Sequence, residues 1–300
     1  NGTILVIGGA GFIGSHTVDL LLAKGHPVRV LDDFSTGKRE NLPADHPRLE
    51  IVVGNHLDQG LLLRAFHGAA AVLHLAAQVS VQRSLEDPLK SGEQNIMGFL
   101  GVVEQARRHS VRIVYASSAA VYGEPAHLPI GEEGPIHPIS PYGLEKYVDE
   151  QYAQLFGKLF GLSHMGLRYF NVYGPRQDPA SPYSGVISRF IAQIHSGHAV
   201  TIRGDGLQER DFIHVSDVAR ANVAALESSA NTVVNIASGT RTSILELAEL
   251  LIQKNQGNGQ IQWVPRLQGD IRHSQADIAR MRQLLIQPTM SLDAGLETLL

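Results

Sequence analysis

Residues 3–14 read Thr-Ile-Leu-Val-Ile-Gly-Gly-Ala-Gly-Phe-Ile-Gly. A run of apolar, largely β-branched residues stops at glycine, and a stretch of helical period follows. The run Thr3–Ile7 has the continuous apolar character of a strand buried on both faces. Gly8, Gly11 and Gly14 then have the spacing G-x-x-G-x-x-G. Gly8 permits a tight turn, Gly11 lets the backbone approach a pyrophosphate, and Gly14 lets the helix sit close on the strand. The free N–H groups of Phe12, Ile13 and their neighbours at the helix start face the phosphates.

Outward from this unit the pattern repeats. Short apolar runs at 27–31, 49–53, 70–75, 111–116 and 163–169 alternate with helical stretches at 15–24, 88–109 and 140–160. Strands of this kind separated by helices require a parallel sheet covered on both faces. The pattern predicts a doubly wound α/β (Rossmann) dinucleotide-binding domain over residues 1–173. Beyond Gly174-Pro175 the pattern is less regular, with helices at 184–196, 218–228, 243–254, 277–285 and 291–300 and strands at 199–202, 211–215 and 232–236. A smaller α/β domain over residues 174–300 is expected, laid over the carboxyl ends of the strands, where open α/β sheets bind ligands. Residues from about 210 to 238 are expected to rejoin the first domain. The turn Gly257-Asn258-Gly259 is the one flexible-looking joint, and there are no internal repeats.

Composition narrows the function class. The chain has 300 residues, 43% apolar and 18% charged, with a formal net charge of -4. That is an ordinary globular composition, and scattered Lys and Arg give no support for a nucleic-acid partner. Cysteine is absent, which excludes disulfides, thiolate chemistry and cysteine-based metal sites. No apolar run approaches the ~20 residues of a membrane span, and residues 2–7 lack the basic flank and cleavage site of a signal peptide. A cytoplasmic enzyme with no membrane partner is expected, although the chain begins at Asn1 rather than Met. None of the fourteen histidines forms a H-E-x-x-H pattern. His195 and His198 lack a carboxylate partner, so no metal is expected.

Four further residues carry the chemistry. Asp32 stands 18 positions after Gly14, at the end of the second strand. A carboxylate there accepts a bond from the ribose 2′-hydroxyl and repels a 2′-phosphate, which favours NAD over NADP; the alternative is a solvated loop carboxylate. Tyr142 and Lys146 are i and i+4 on one helix and share a face. A free tyrosine, with a pKa of about 10, is a poor base at neutral pH. A nearby ammonium and a positively charged nicotinamide both favour the phenolate. Ser118, just past the strand at 111–116, is placed to bond the same substrate hydroxyl. Together these supply a base, a means of activating it and a hydride acceptor.

With these residues in hand the chain resembles an extended short-chain dehydrogenase/reductase of the nucleotide-sugar epimerase branch. The matching segments are residues 8–14, Asp32-Asp33-Phe34, His74-Leu75-Ala76-Ala77, 117–123 (SSAAVYG), 142–146, 168–175 (RYFNVYGP), 210–217 (RDFIHVSD) and 269–277 (GDIRHSQAD). They span almost the whole chain. The resemblance implies that Ser118 contacts the reacting hydroxyl, that Tyr142 is the base, and that Lys146 holds the nicotinamide ribose. It implies NAD contacts at Gly8, Gly11, Phe12, Ile13, Gly14, Asp32, Asp33, Asn55, His56, Leu75, Ala76 and Ala77. It places Asn171 and Arg210 on the diphosphate of a UDP-sugar, Asp270 on the uridine ribose, and residues 186–202, Val186 and Thr201 among them, at the base pocket. Arg210 could otherwise be a surface ion pair with Glu209 or Asp211. The helices at 88–109 and 140–160 are expected to form a homodimer's four-helix bundle.

Two small residues discriminate within the branch. Related 4,6-dehydratases and decarboxylases carry an acid where this chain has Ala119 and Ala120, and alanine cannot move a proton. That leaves oxidation at C4, rotation of the 4-keto sugar and hydride return to the opposite face. Ser274 matches a gatekeeper that is a large aromatic in glucose/galactose enzymes, and a small residue admits a 2-N-acetyl group. UDP-GlcNAc/UDP-GalNAc 4-epimerisation is therefore expected, with UDP-Glc/UDP-Gal as a further pair. The alternative is that Ser274 faces solvent. Ser80 matches a second position near the sugar. The alternatives for the whole chain are a UDP-glucuronate 4-epimerase, with Arg83 as the needed cation, and a catalytically silent NAD-binding module. Two departures stand out. Gly54-Asn55 replaces the usual Gly-Asp that meets the adenine amine, leaving the Asn55 amide oxygen for that bond. The arginine normally before Gly269-Asp270 is displaced, and Arg266 or Arg272 is expected to compensate.

Overall fold

A computed structural model describes residues 2–178, 185–257, 259–266 and 271–300. Within them the strands are β1 (Thr3–Ile7), β2 (Val28–Asp32), β3 (Leu49–Val53), β4 (Ala69–His74), β5 (Arg112–Ser118), β6 (His164–Tyr169), β7 (Asn171–Tyr173), β8 (Val200–Arg203), β9 (Glu209–His214), β10 (Thr232–Ile236), β11 (Arg241–Ser243) and β12 (Ile261–Val264). Seven of them form one parallel sheet in the order β3-β2-β1-β4-β5-β6-β10. Strand order reverses beside β1, where Ile7 pairs with Leu31 on one side and His74 on the other. That reversal is the place at which doubly wound sheets bind ligands.

Adjacent residues on the strands go to opposite cores. Ile4 and Val6 pack with Val18, Leu21, Val218 and Ala221, beneath the helices Phe12–Ala23 and Val215–Glu227. Leu5 and Ile7 pack with Leu62, Phe66, Phe99, Val102 and Ala153, beneath the helices Gln59–Phe66, Gly98–Arg108 and Pro141–Phe160. Both faces of the central strands are dry, which is why β1 reads as an unbroken apolar run. A third cluster joins Ile187, Phe190, Ile202, Phe212, Leu247 and Leu251 around β8 and the helices Val186–His195 and Ile244–Lys254. Strand β9 pairs with β7 and β11, and β8 with β12, so two small sheets lie beside this third cluster.

Local sequence explains the helix that carries Tyr142. Ser140 caps it by accepting from the Gly143 N–H, Pro141 occupies its first turn, and Gly161 ends it in the left-handed region at φ 67°. These are the ordinary start and stop residues of a helix. The stretch expected as one helix at 88–109 is divided. Between Pro88–Gly92 and Gly98–Arg108, residues Glu93–Met97 form a π-helical turn. Within that turn the buried Asn95 side chain donates to the Gln78 carbonyl and accepts from the Gln78 N–H at 2.8 Å. No described helix is long and apolar enough to cross a membrane.

Candidate active site

At Gly8 and Gly14 the glycine loop closes by contacts that leave no room for side chains. Gly8 has φ 84°, and a Cβ there would lie 2.6 Å from the Ala76 nitrogen. At Gly14 it would lie 2.2 Å from the Gly8 carbonyl oxygen. Leu75 and Ala76 both donate to the Ile7 carbonyl, at 2.8 and 3.0 Å, which holds 75–77 beside the loop. Gly11 caps the helix Phe12–Ala23 without any side-chain bond. The first N–H groups of that helix, those of Phe12 and Ile13 included, thus have neither an intrahelical acceptor nor a side-chain cap.

Asp32 is buried rather than solvated. One of its carboxylate oxygens accepts from the Ala10 N–H and the other from the Phe34 N–H, each at 2.9 Å. Burial raises its pKa against the pull of those two bonds. Each oxygen keeps a further lone pair for a ribose hydroxyl. Asp33 is exposed. Burial works to raise it, but bonds from Ser35 and from the Asn55 amide, the latter at 2.7 Å, hold it below the ordinary carboxylate range. The Asn55 oxygen already accepts from Leu57 N–H at 2.9 Å. The His56 ring points inward, against His74 and Gly98, with Nε2 3.0 Å from the Gln94 carbonyl oxygen. Only its backbone remains for a cofactor.

Ser118 ends β5, and its Oγ accepts from Ala120 N–H at 3.1 Å. The Tyr142 N–H donates to Ser84 Oγ at 3.1 Å. One turn on, Lys146 is buried with its Nζ 3.2 Å from Asp149 Oδ2. Burial pushes Asp149 up to about 7, although the ammonium pulls the other way. The neighbouring Glu150 makes a bidentate pair with Arg168 at 2.7 and 2.8 Å, and Arg168 also donates to the Tyr122 hydroxyl at 2.7 Å. This closed network braces β5 and β6 under the site.

Ser118, Ala119, Ala120, Tyr142 and Ser274 line one cavity of about 210 Å³. A second cavity of about 240 Å³ is lined by Val186, Arg189, Phe190, Thr201, Arg203 and Gln208. Asn171 and Arg210 belong to both walls. The two cavities therefore meet at an amide and a guanidinium, groups suited to a diphosphate. Arg210 donates to the Glu209 carbonyl at 2.8 Å, and the Asp211 carboxylate is taken by Ser238, Gly239 and Ala276.

The chain as a whole is similar to known proteins. The model of the NAD dependent epimerase/dehydratase family matches residues 4–237. The chain belongs to that family. NAD is its cofactor. The UDP-glucose 4-epimerase of Mycolicibacterium smegmatis is 38% identical over 299 residues, covering 97% of this chain and 95% of that one. Among solved structures, the UDP-N-acetylglucosamine 4-epimerase of Methanobrevibacter ruminantium, in complex with UDP-N-acetylmuramic acid, superposes with a TM-score of 0.95. It has 36% identity and covers 100% of this chain and 98% of that one. The UDP-glucose 4-epimerase of Thermotoga maritima with UDP-glucose has a TM-score of 0.94, 38% identity, and coverage of 99% and 96%.

The glycine loop of this epimerase/dehydratase family member fits a dinucleotide. A Cβ at Gly11 would meet only the Gly8 oxygen, at 3.4 Å, so one side of the loop is open for a pyrophosphate, while Gly8 and Gly14 are closed by backbone. Other sequence expectations fare differently. Ser274 lines the sugar-sized cavity rather than solvent. Ser80 does not line it: the hydroxyl is buried as a helix cap, accepting from Arg83 N–H at 3.1 Å, and Val81 takes the wall position. Arg83 is exposed and lies off the cavity wall. Arg272 is held by Asp205 at 2.7 and 2.9 Å and lines neither cavity. Asp270 and Asn258 lie outside the described residues. Arg189 falls within the stretch 186–202 expected at the base pocket but was not singled out, and Arg203 was not legible as a site residue. They come from different elements, and no motif links them.

Proposed function

We propose that this chain is a UDP-sugar 4-epimerase that accepts UDP-N-acetylglucosamine and UDP-N-acetylgalactosamine, with UDP-glucose and UDP-galactose as a second pair. The carrying observation is the joined pair of cavities, with Tyr142 and Ser118 in one, three arginines around the other, and Asn171 and Arg210 at the junction. The names of the relatives above support 4-epimerisation. NAD, when bound, would supply the hydride acceptor and donor for C4. Tyr142 removes the C4 hydroxyl proton and later returns it, Ser118 bonds the same oxygen, and Lys146 holds the ribose and favours the phenolate. Gly8, Gly11, Gly14 and Asp32 hold the dinucleotide. Arg210 and Asn171, with Arg189 and Arg203, hold the diphosphate, and Val186, Phe190 and Thr201 line the uracil end.

The wall beside Ser118 is made by Ala119 and Ala120. Neither can protonate a leaving group or a carbanion, which argues against dehydration and decarboxylation. Ser274 adds little volume to the opposite wall, which leaves room for an acetamido group. In this reading residues 1–173 and about 210–238 serve NAD, and the rest of the chain mainly serves the UDP-sugar. The helices of residues 88–108 and 141–160 also expose Leu89, Met97, Leu155, Leu159 and Phe160. That apolar face suits a two-fold homodimer. Incubation with UDP-GalNAc and, separately, UDP-Gal tests the reading. Conversion of both supports it, conversion of UDP-Gal alone removes the N-acetyl part, and conversion of neither refutes it.

A further inference from the structure

The helix Pro141–Phe160 buries more charge than its chemistry needs. Glu145, Lys146, Asp149 and Glu150 are all buried. Two of the carboxylates have their bonds elsewhere, and neither has a buried oxygen left without a partner among the described residues. Glu145 accepts from Ser91 and Asn95, and Glu150 is closed on Arg168. Asp149 is different. Its side chain is 1% exposed, its Oδ2 takes the Lys146 ammonium at 3.2 Å, and its Oδ1 is buried with no hydrogen-bond partner among the described residues. A buried pair of this kind is weak evidence for stability, since apolar residues of similar volume do as well. A buried, unpartnered oxygen is a cost. The arrangement calls for another role.

Resting on the reading of Tyr142 as the base, we propose that Asp149 is a positioning residue: it shares the Lys146 ammonium and sets how much positive charge reaches Tyr142. Lysine has three donors, so one bond to Asp149 leaves two for the ribose and the tyrosine side. When Asp149 is ionised, its charge offsets much of the ammonium's field. When it is protonated, the full field favours the phenolate. The other groups around the pair do not replace this function. On the same helix they are Glu145 and Glu150. From β4 comes His74, held well below its ordinary pKa by burial, and beside it His56, also lowered by burial. From β5 comes the Tyr115 hydroxyl, pushed well up by burial. From β6 come Arg168, committed to Glu150, and His164, lowered to about 4 by burial. With the histidines and Tyr115 neutral near pH 7, Asp149 at about 7 is the group whose charge changes there. As pH falls, Asp149 gains a proton and the base is sustained. The two ionisations repel, and each is spread over a wider range of pH.

The test is the tyrosinate absorbance of the holoenzyme as a function of pH, with the Tyr142→Phe spectrum subtracted. In Asp149→Asn the midpoint of the Tyr142 signal is expected about one pH unit lower than in the wild type, with the acid limb of kcat displaced the same way. A midpoint that stays put or rises overturns the proposal; a purely structural aspartate would change melting and leave that midpoint alone. Should Asp149→Asn fail to fold or to keep NAD, the wild-type curve decides. A transition broader than one proton's width supports the proposal, and a simple one-proton curve overturns it. Normal turnover by Tyr142→Phe would sink the underlying reading of the base.

Discussion

Ser274→Tyr should separate the two substrate pairs. The serine lines the cavity shared by Ser118 and Tyr142, and that cavity is about 210 Å³. Its other walls are tight: Ala119 and Ala120 belong to the turn after β5, and Tyr122 and Ile130 are buried. A phenol ring at 274 must therefore occupy ligand space. A hexose with a 2-hydroxyl can still be seated, but an acetamido group would overlap the ring. Overfilling a packed site costs ~1–3 kcal/mol, which is ~5–150-fold in a rate constant. The ratio of kcat/KM for UDP-GalNAc over UDP-Gal should fall by about that factor, with NAD content and melting temperature unchanged. If both substrates lose activity equally, or the ratio does not move, Ser274 does not select the substituent at C2.

Gly14→Ala drives a Cβ to 2.2 Å from the Gly8 oxygen and 2.8 Å from Gly9 Cα, both backbone atoms. NAD binding should weaken by more than about tenfold, measured as nucleotide released on denaturing the purified protein; full NAD content would contradict the closed-loop geometry. His164 is held down to about 4 by burial and by Arg112. Its folded pKa lies below the unfolded one, so the stability it contributes is present above about pH 6.5 and is lost as pH falls toward about 4. The loss is at most ~3 kcal/mol, and His164→Gln should flatten the acid limb of stability measured by urea unfolding; an unchanged limb would show that His164 does not contribute. Leu159→Glu with Phe160→Glu should halve the mass seen by sedimentation while NAD stays bound, and an unchanged mass would place any dimer contact elsewhere.

The sheet was legible because both faces of its central strands are dry. Thr3–Ile7, Leu49–Val53 and Thr232–Ile236 could be read to the residue from their β-branched, mostly apolar content, even though Leu49–Val53 is a half-buried edge strand carrying Glu50 and Thr232–Ile236 carries Asn235. The short strands Asn171–Tyr173, Arg241–Ser243 and Ile261–Val264 were not read, because three or four residues give no period to count. The helices Gln59–Phe66 and Val81–Glu86 were also not read. Glycine spacing and the Tyr142/Lys146 pair were legible because the chemistry fixes them within one local unit. The meeting of Arg189, Arg203 and Arg210 was not, since tertiary packing alone brings them together. The helix Pro141–Phe160 inverts the usual pattern, with Asp149 and Glu150 inside and Leu155 and Leu159 outside. A charge on a helix ordinarily marks solvent, so the burial of Asp149 has no sequence signal.

The most direct test of 4-epimerisation is turnover of a UDP-sugar carrying deuterium at C4. The account predicts a product inverted at C4 that keeps the deuterium there, because the hydride removed is the hydride returned. Inversion with loss of the label to solvent, or turnover that changes the sugar without inverting C4, would contradict it.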